Sequence, residues 1–188
     1  MKLTDFYVSS TACTPSRSAL LTGCYADRIE MGRSVVFPAD KRGLNPKEIT
    51  IAEMLKEGGY KTGCFGKWHL GATDDQYPTQ RGFDTFYGLR EGGRSYFYDG
   101  RKNDKPGDPR AIEQHGKQVE FEGYLTDVFG DQAVEFIRSP SDAPFFLYLS
   151  FTAPHGPMHA TKDDLEWFKH IENQRRRTYA AMVWAMDR

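Results

Sequence analysis

The sequence is poor in cysteine, in long apolar runs and in excess charge of either sign. Its 188 residues include three cysteines, Cys13, Cys24 and Cys64, too few and too scattered for a disulfide framework. No stretch approaches the roughly 18 apolar residues of a membrane span, and Met1–Asp5 lacks the apolar part of a secretory signal. The 25 basic and 26 acidic residues leave a net charge of −1, which argues against a general nucleic-acid binder.

What the chain does contain is the composition of a folded globular protein. Apolar residues make up 39% and charged residues 27% of it. A chain of this length forms one domain, or slightly more, at about 100–200 residues per domain. Strand-like and helix-like segments alternate along it, which predicts a layered α/β fold.

Apolar patterns and breaker residues predict the elements of the first half. In order, they are a strand over Phe6–Ser10, a helix through Ser18–Leu21 that ends at Gly23, a loop over 27–46 with Pro38 among its breakers, a helix ending at Gly58–Gly59, and a strand over Tyr60–Phe65. The second helix begins at a capping box formed by Thr50 and Glu53. Its apolar face is predicted from Ile51, Met54 and Leu55.

The second half is predicted to begin with an irregular region over residues 72–122. This region includes an ordered aromatic loop at Arg81–Gly88 and a surface excursion at 99–118. Thr126 is predicted to cap a helix that ends before Pro140. The nearly continuous apolar run Phe145–Phe151 is typical of a central strand buried on both faces. A final helix is predicted over residues 178–188, with no stop signal inside it.

Reactive side chains follow each of the three predicted strands. Cys13 and Arg17 follow the first, Lys67 and His69 follow the second, and His155 follows the third. Because ligands of open parallel sheets bind beyond the carboxyl ends of the strands, we expect these side chains to share one crevice. Cys13 also precedes a predicted helix, whose free amide groups attract anions. The pattern predicts a site for an oxyanion substrate, either a sulfate or a phosphate ester.

Two motifs resemble the signatures of the sulfatase family. Residues 13–23 resemble C-x-P-S-R-x-x-x-L-T-G, and Gly66–Gly71 resembles G-K-W-H-L-G. Arg81–Asp84 and Ala153–His155 resemble two further blocks of the family, and the resemblance runs from about Thr4 to Arg188. It implies an alkaline-phosphatase-like α/β fold, with a mainly parallel or mixed central sheet flanked by helices.

The resemblance also implies an arylsulfatase-like mechanism. A formylglycine-generating enzyme, or an equivalent maturation enzyme, oxidises the signature cysteine to an aldehyde that becomes hydrated. One hydroxyl attacks the sulfur of a small-molecule or carbohydrate sulfate ester, and the other allows sulfate to leave. The resemblance implies that Cys13, as formylglycine, is the nucleophile and a metal ligand. It implies that Arg17 binds the diol and that Lys67 binds both the sulfate and the diol. His69 is implied to be the base for sulfate release, and His155 to bind sulfate and protonate the leaving alkoxide.

Family members hold Ca²⁺ between formylglycine and further Asp and Asn ligands. Those ligands lie on a strand upstream of the signature and in a region downstream of the third block, and a further lysine also lies downstream. Asp74–Asp75 follows the second signature, which is the wrong place for the upstream pair. We therefore expect residues 1–188 to be part of a sulfatase catalytic domain that is inactive alone, and its compartment stays open.

Two other functions remain open at this stage. The same formylglycine site also suits a hydrolase of phosphonate monoesters or phosphodiesters. A truncated gene product without catalytic activity is the second alternative. A phosphatase-type thiolate loop is excluded, because that loop places five residues between Cys and Arg, whereas three separate Cys13 from Arg17.

The remaining polar and aromatic candidates have simpler interpretations. A lone cysteine is more often a structural thiol than a reactive one, and we interpret Cys24 and Cys64 as core or surface thiols. His159 is close enough in sequence to His155 to line the mouth of the site, although a structural role is favoured. Surface positions are predicted for His115, His170 and Arg175–Arg177, and packing roles for Phe83, Phe86 and Tyr87.

Overall fold

A computed structural model of the protein describes residues 2–37 and 39–188, and a mixed sheet lies at its centre. The strands are β1 Lys61–Lys67, β2 Thr85–Leu89, β3 Glu113–Gln114, β4 Lys117–Gln118 and β5 Phe145–Ser150. Their spatial order is β4-β3-β2-β1-β5. β1 runs parallel to both β2 and β5, whereas β3 is antiparallel to β2 and β4. The predicted mixed α/β sheet is confirmed.

Helices cover both faces of this sheet. They are α1 Cys13–Thr22, α2 Ile51–Glu57, α3 Leu125–Arg138, α4 Lys162–Trp167 and α5 Gln174–Asp187. α1 ends as predicted at Gly23, which has the left-handed φ of 69° that glycine adopts without strain. Within the described residues, every helix is too short or too polar to cross a lipid bilayer.

Two apolar cores form because successive residues of a strand point to opposite faces. Cys64 packs into the core that contains Leu21 of α1 and Ala52 of α2. The next residue, Phe65, packs into the other core against Phe136 of α3, with ring centroids 5.4 Å apart. Phe83, Phe86 and Tyr87 are buried in these cores, as predicted from the sequence.

The predicted strand at Phe6–Ser10 is wrong. These residues form no regular element, and the side chains of Phe6, Tyr7 and Val8 are 70%, 86% and 63% exposed. Strand propensity acts through pairing and burial. No strand among residues 2–37 and 39–188 lies beside this segment to supply either.

The α2 helix has the predicted capping box but not the predicted apolar face. The Thr50 side chain accepts from the Glu53 amide, and the Glu53 side chain accepts from the Thr50 amide. Ile51 and Met54 are nevertheless exposed, whereas Ala52 is fully buried. The reason is close packing, since a Cβ at Gly82 would lie 2.2 Å from the Glu53 nitrogen. Only a small residue fits on the α2 face that meets this backbone.

The region predicted as irregular contains three of the strands. Residues 85–89 were predicted to lie in an ordered aromatic loop, but they form β2 because they pair in register with β1. β3 and β4 form a hairpin inside the predicted surface excursion, with left-handed φ values at His115 and Gly116. Asp104, Ala111 and Ile112 of that segment are buried. Pro38, predicted as a breaker, lies outside the described residues.

Two further predictions for the second half need correction. The α3 N-cap is Tyr124, which makes no side-chain cap bond, and Thr126 is buried inside the helix. β5 pairs only with β1 among the described strands and lies at the edge of the sheet, half-buried rather than central. Its apolar run matches that of a buried strand because both of its faces pack on side chains of the two cores.

Candidate active site

The predicted site residues lie at the carboxyl ends of β1 and β5 and at the start of α1. Lys67 is the last residue of β1, and His69 follows two residues later. His155 lies in the loop after β5, and Cys13 is the first residue of α1, at the helix end where amide groups are free. This is the edge of the sheet at which the sequence predicted a crevice.

Cys13 and Lys67 are in direct contact. The Lys67 ammonium donates to Cys13 Sγ over 3.5 Å, although the two residues are far apart in sequence. The Lys67 side chain is only 2% exposed. Burial, and then the positive charge of Arg17, lowers the pKa of Lys67 to about 8. The ammonium still predominates at neutral pH, and it faces the sulfur from inside the protein.

Arg17 ties α1 to the ends of β1 and β5. Its Nη1 donates to the Lys67 carbonyl at 2.7 Å, to the Tyr148 hydroxyl at 3.3 Å and to the Ser150 hydroxyl. Ser150 in turn donates to the same carbonyl of Lys67 at 3.0 Å. Nη1 carries two hydrogens, so at least one of them is shared between two of these three acceptors. Tyr148 and Ser150 were not among the predicted site residues, since only the pairing of β5 with β1 reveals their position.

His69 has a backbone conformation that is unusual for a residue with a side chain, with φ of 59°. Its Nε2 lies 2.8 Å from the Val36 carbonyl oxygen. Burial and then the charge of Lys67 lower the pKa of His69 to about 4, so the ring is neutral at neutral pH. Because a carbonyl only accepts, Nε2 carries the proton, and Nδ1 is the basic nitrogen.

Glu91 is a buried acid that the sequence did not suggest. Its carboxylate lies 3.7 Å from His69 Nε2 and has no exposed surface. Burial raises the pKa of Glu91 to about 7. A sequence signal existed in retrospect, because Glu91 occupies the same place after β2 that His69 occupies after β1.

His155 is exposed and is held through its backbone and one ring nitrogen. Tyr96 donates from its hydroxyl to the His155 carbonyl at 2.8 Å. His155 Nδ1 lies 2.7 Å from the Gly156 carbonyl oxygen, so Nδ1 carries a proton and Nε2 points away from that contact. The loop after β2 packs closely here, since a Cβ at Gly93 would lie 2.8 Å from His155 Nδ1.

The other candidates occupy the structural positions expected for them. Cys64 is fully buried, and burial raises its pKa far above the usual range, so it is an unreactive thiol. His159 packs against the rings of Tyr96 and Phe97. Exposed positions are found for His115, His170, Arg175 and Arg176, while Cys24 is partly buried and Arg177 is half-buried with its Nε donating to the Ile171 carbonyl.

The described residues do not supply a set of ligands for the calcium ion that the resemblance implies. Across residues 2–37 and 39–188, no group of three or more His, Cys, Asp or Glu side chains is arranged to hold a metal ion. Asp74–Asp75 forms part of a short 3-10 turn instead. The residues present therefore do not by themselves fit a calcium site.

Comparison with known proteins assigns the class to which this fold and site belong. A sequence model of the sulfatase family matches residues 1–188, and the chain belongs to that family. It is 37% identical to arylsulfatase J of Mus musculus, over 100% of this chain and 32% of that protein. It is 32% identical to an arylsulfatase of Klebsiella aerogenes, over 96% of this chain and 40% of the relative. The chain thus spans about a third of the length of these curated relatives.

A solved structure of a related protein has the same fold. The protein Ps i-CgsB, solved in complex with k-i-k-neocarrahexaose, superposes with a TM-score of 0.91 at 36% identity. The match covers 96% of this chain and 43% of that one. The fold is therefore the alkaline-phosphatase-like fold of sulfatases, as the sequence motifs implied.

Proposed function

We propose that this chain carries part of the reaction site of a sulfate ester hydrolase and that Cys13 is the precursor of its formylglycine nucleophile. The observation that carries the proposal is the Lys67 ammonium held 3.5 Å from Cys13 Sγ at the start of α1. An ammonium and free helix amides together favour an oxyanion at this point. A sulfate group next to residue 13 satisfies both.

The side chains around Cys13 suit the roles proposed for them. Formylglycine supplies two hydroxyl groups on one carbon, one to attack sulfur and one to allow sulfate to leave. Lys67 binds sulfate oxygens and the diol, and Arg17 holds the diol and offsets its charge. Neutral His69 accepts a proton at Nδ1, because Nε2 already carries a proton that it donates to the Val36 carbonyl. His155 binds sulfate and gives a proton to the leaving alkoxide from Nε2, because Nδ1 is held by Gly156.

We further propose that residues 1–188 form part of a sulfatase catalytic domain. Cys13, as formylglycine, is the Ca²⁺ ligand proposed from this chain, and the remaining ligands are proposed to lie outside it. The substrate proposed is a small-molecule or carbohydrate sulfate ester. The support is that a solved relative at 36% identity is described in complex with k-i-k-neocarrahexaose.

The first test is chemical modification of Cys13. The chain is co-expressed with a formylglycine-generating enzyme, treated with a hydrazide aldehyde probe and digested for mass spectrometry. We expect the probe on the peptide that carries residue 13 and not on the peptide that carries Cys24. Cys13→Ala is the control that removes the signal. An unmodified thiol at Cys13 under these conditions contradicts the proposal.

The second test separates sulfate from phosphate chemistry. The modified chain, and any longer protein that contains it, is assayed with Ca²⁺ on an aryl sulfate, an aryl phosphonate monoester and an aryl phosphodiester in parallel. Faster hydrolysis of the sulfate supports the proposal. Faster hydrolysis of either phosphorus ester supports the alternative hydrolase. A longer protein that carries the aldehyde and hydrolyses none of them contradicts catalysis at this site.

A further inference from the structure

Glu91 is held beside His69 by the backbone pairing of β1 with β2. The parallel register pairs Lys67 with Leu89. Past the end of β1, the Trp68 amide donates to the Leu89 carbonyl at 3.0 Å and the His69 amide donates to the Arg90 carbonyl at 2.8 Å. The pairing thus continues to the level of His69 and Glu91, whose Nε2 and Oε2 are 3.7 Å apart.

The carboxylate of Glu91 lacks the hydrogen bonds that usually accompany a buried charge. The residue is fully buried, and neither Oε1 nor Oε2 accepts a hydrogen bond of good geometry from the described residues. The Gly92 amide is the polar group that comes near enough to lower the pKa of the carboxyl. A buried carboxylate in this state destabilises the folded protein. A contribution to stability therefore does not account for its presence, which leaves its effect on the neighbouring imidazole.

His69 is built to take up a proton at one atom only. Nε2 already donates to the Val36 carbonyl, and Nδ1 is buried without a protein partner in the described part of the chain. When Nδ1 gains a proton, the ring becomes a buried imidazolium. Lys67, Arg17 and His155 face it with positive charge and oppose this step, which leaves Glu91 as the nearby anion that favours it.

We propose that Glu91 is a positioning residue whose ionised form offsets the charge of the His69 imidazolium. The inference rests on the proposed function, in which His69 accepts a proton during sulfate release. The proton passes from the reacting hydroxyl to Nδ1, while Nε2 keeps its own proton and still donates it to the Val36 carbonyl. The ionised form of Glu91 favours this step. No bond to carbon or sulfur changes at either residue.

The charges that act on Glu91 come from several elements. Burial has the largest effect and raises its pKa, and the Gly92 amide lowers it. Asp40 raises the pKa further, whereas Lys67 and Arg110 lower it. With Glu91 uncharged, His69 retains the pKa of about 4 that burial and Lys67 impose. With Glu91 ionised, a carboxylate at this distance raises the proton affinity of a neighbouring base by roughly one to three pH units. Ionisation of Glu91 therefore increases the fraction of His69 rings that are imidazolium.

Nitrogen NMR of the His69 ring in the 188-residue chain measures the effect of Glu91 on His69 protonation directly. The chain is labelled with ¹⁵N-histidine, and His69→Gln assigns the signals. At pH 6 only about a tenth of the Glu91 side chains are ionised, because their pKa is about 7. We therefore expect between about one fiftieth and about one half of the His69 rings to be imidazolium in the unaltered chain. In Glu91→Gln the fraction should fall to about one hundredth, as a pKa near 4 requires. Glu91→Asp, which keeps the charge, should restore part of the signal.

The control is Glu113→Gln, which removes a buried carboxylate already paired with Arg90 at 3.1 Å. It should leave the His69 signals unchanged. Equal protonation of His69 at pH 6 in the unaltered chain and in a folded Glu91→Gln variant overturns the proposal. If that variant does not fold, an imidazolium fraction of only about one hundredth in the unaltered chain, which a pKa of about 4 alone gives, overturns it. Since the measurement needs neither formylglycine nor turnover, its failure is separable from failure of the proposed function.

Discussion

The hydroxyl of Thr14 donates a hydrogen bond of 2.9 Å to the His69 carbonyl and accepts one of 3.0 Å from the Val36 amide. One buried oxygen thus joins α1, the segment after it and the loop after β1. Val36 uses its own carbonyl to hold the His69 ring. The hydrogen bonds among Thr14, Val36 and His69 therefore fix the position of Cys13 relative to His69.

Replacing Thr14 by valine should destabilise the chain. The change keeps the shape but leaves the Val36 amide and the His69 carbonyl unpaired in a buried place. We expect the free energy of unfolding to fall by about 1–3 kcal/mol, measured by urea denaturation. Thr11→Val, the same change at an exposed position, should alter it by less than about 0.5 kcal/mol. Equal effects of the two changes would show that the Thr14 hydroxyl is not a buried link.

Replacing Gly93 by alanine should displace His155 with little loss of stability. The new Cβ would lie 2.8 Å from His155 Nδ1 and 3.1 Å from the Gly156 oxygen, so the imidazole must turn away. Gly92→Ala is the matched control, because its Cβ would meet His69 only at an ordinary 3.7 Å. The His155 ring signals in a ¹H–¹³C NMR spectrum should move in the first variant and stay in the second. If both variants leave His155 unmoved, the loop after β2 does not position it.

The stability difference between the Glu91→Gln variant and the unaltered chain should grow with pH. Burial raises the pKa of Glu91 from 4.5 to about 7. An acid whose pKa is raised by folding destabilises the folded state above its unfolded pKa, and this effect is complete above its folded pKa. Between pH 5 and 8, the variant should gain about 2–3 kcal/mol relative to the unaltered chain.

Urea denaturation of both proteins at pH 5, 6, 7 and 8 measures this difference. His69 has a lowered pKa and therefore costs stability as the pH falls below 6.5 towards 4. This contribution differs between the two proteins only by the imidazolium fraction that Glu91 adds at His69, which the NMR measurement supplies. A difference that is independent of pH would mean that Glu91 is not buried as a charged group.

The sequence predicted the local elements best where short-range chemistry decides them. The capping box at Thr50 and Glu53 and the stop of α1 at Gly23 are confirmed. Both depend on hydrogen bonds or backbone angles within a few residues. The motif residues were also placed correctly at the ends of β1 and β5, because strand and loop alternate clearly there.

The elements that failed depend on partners distant in the chain. Phe6–Ser10 has strand-forming residues but no neighbouring strand among the described residues, whereas Thr85–Leu89 resembled a loop and pairs with β1. The buried face of α2 was wrong for a similar reason, since the backbone at Gly82 decides which side packs. Such outcomes follow from tertiary contacts, which short-range propensities do not contain.

The sequence alone determined which reactive groups this protein has and in what order, since Cys13, Arg17, Lys67, His69 and His155 stand in motifs that resemble those of sulfatases. Only the tertiary structure decided which groups meet. It brought the Lys67 ammonium to Cys13 and placed His69 Nε2 within hydrogen-bond distance of the Val36 carbonyl. It also placed Glu91, which belongs to none of these motifs, beside the His69 ring. The physical reason is that proton affinity depends on burial and on charges within a few ångströms, and both arise only when β1, β2 and α1 pack together.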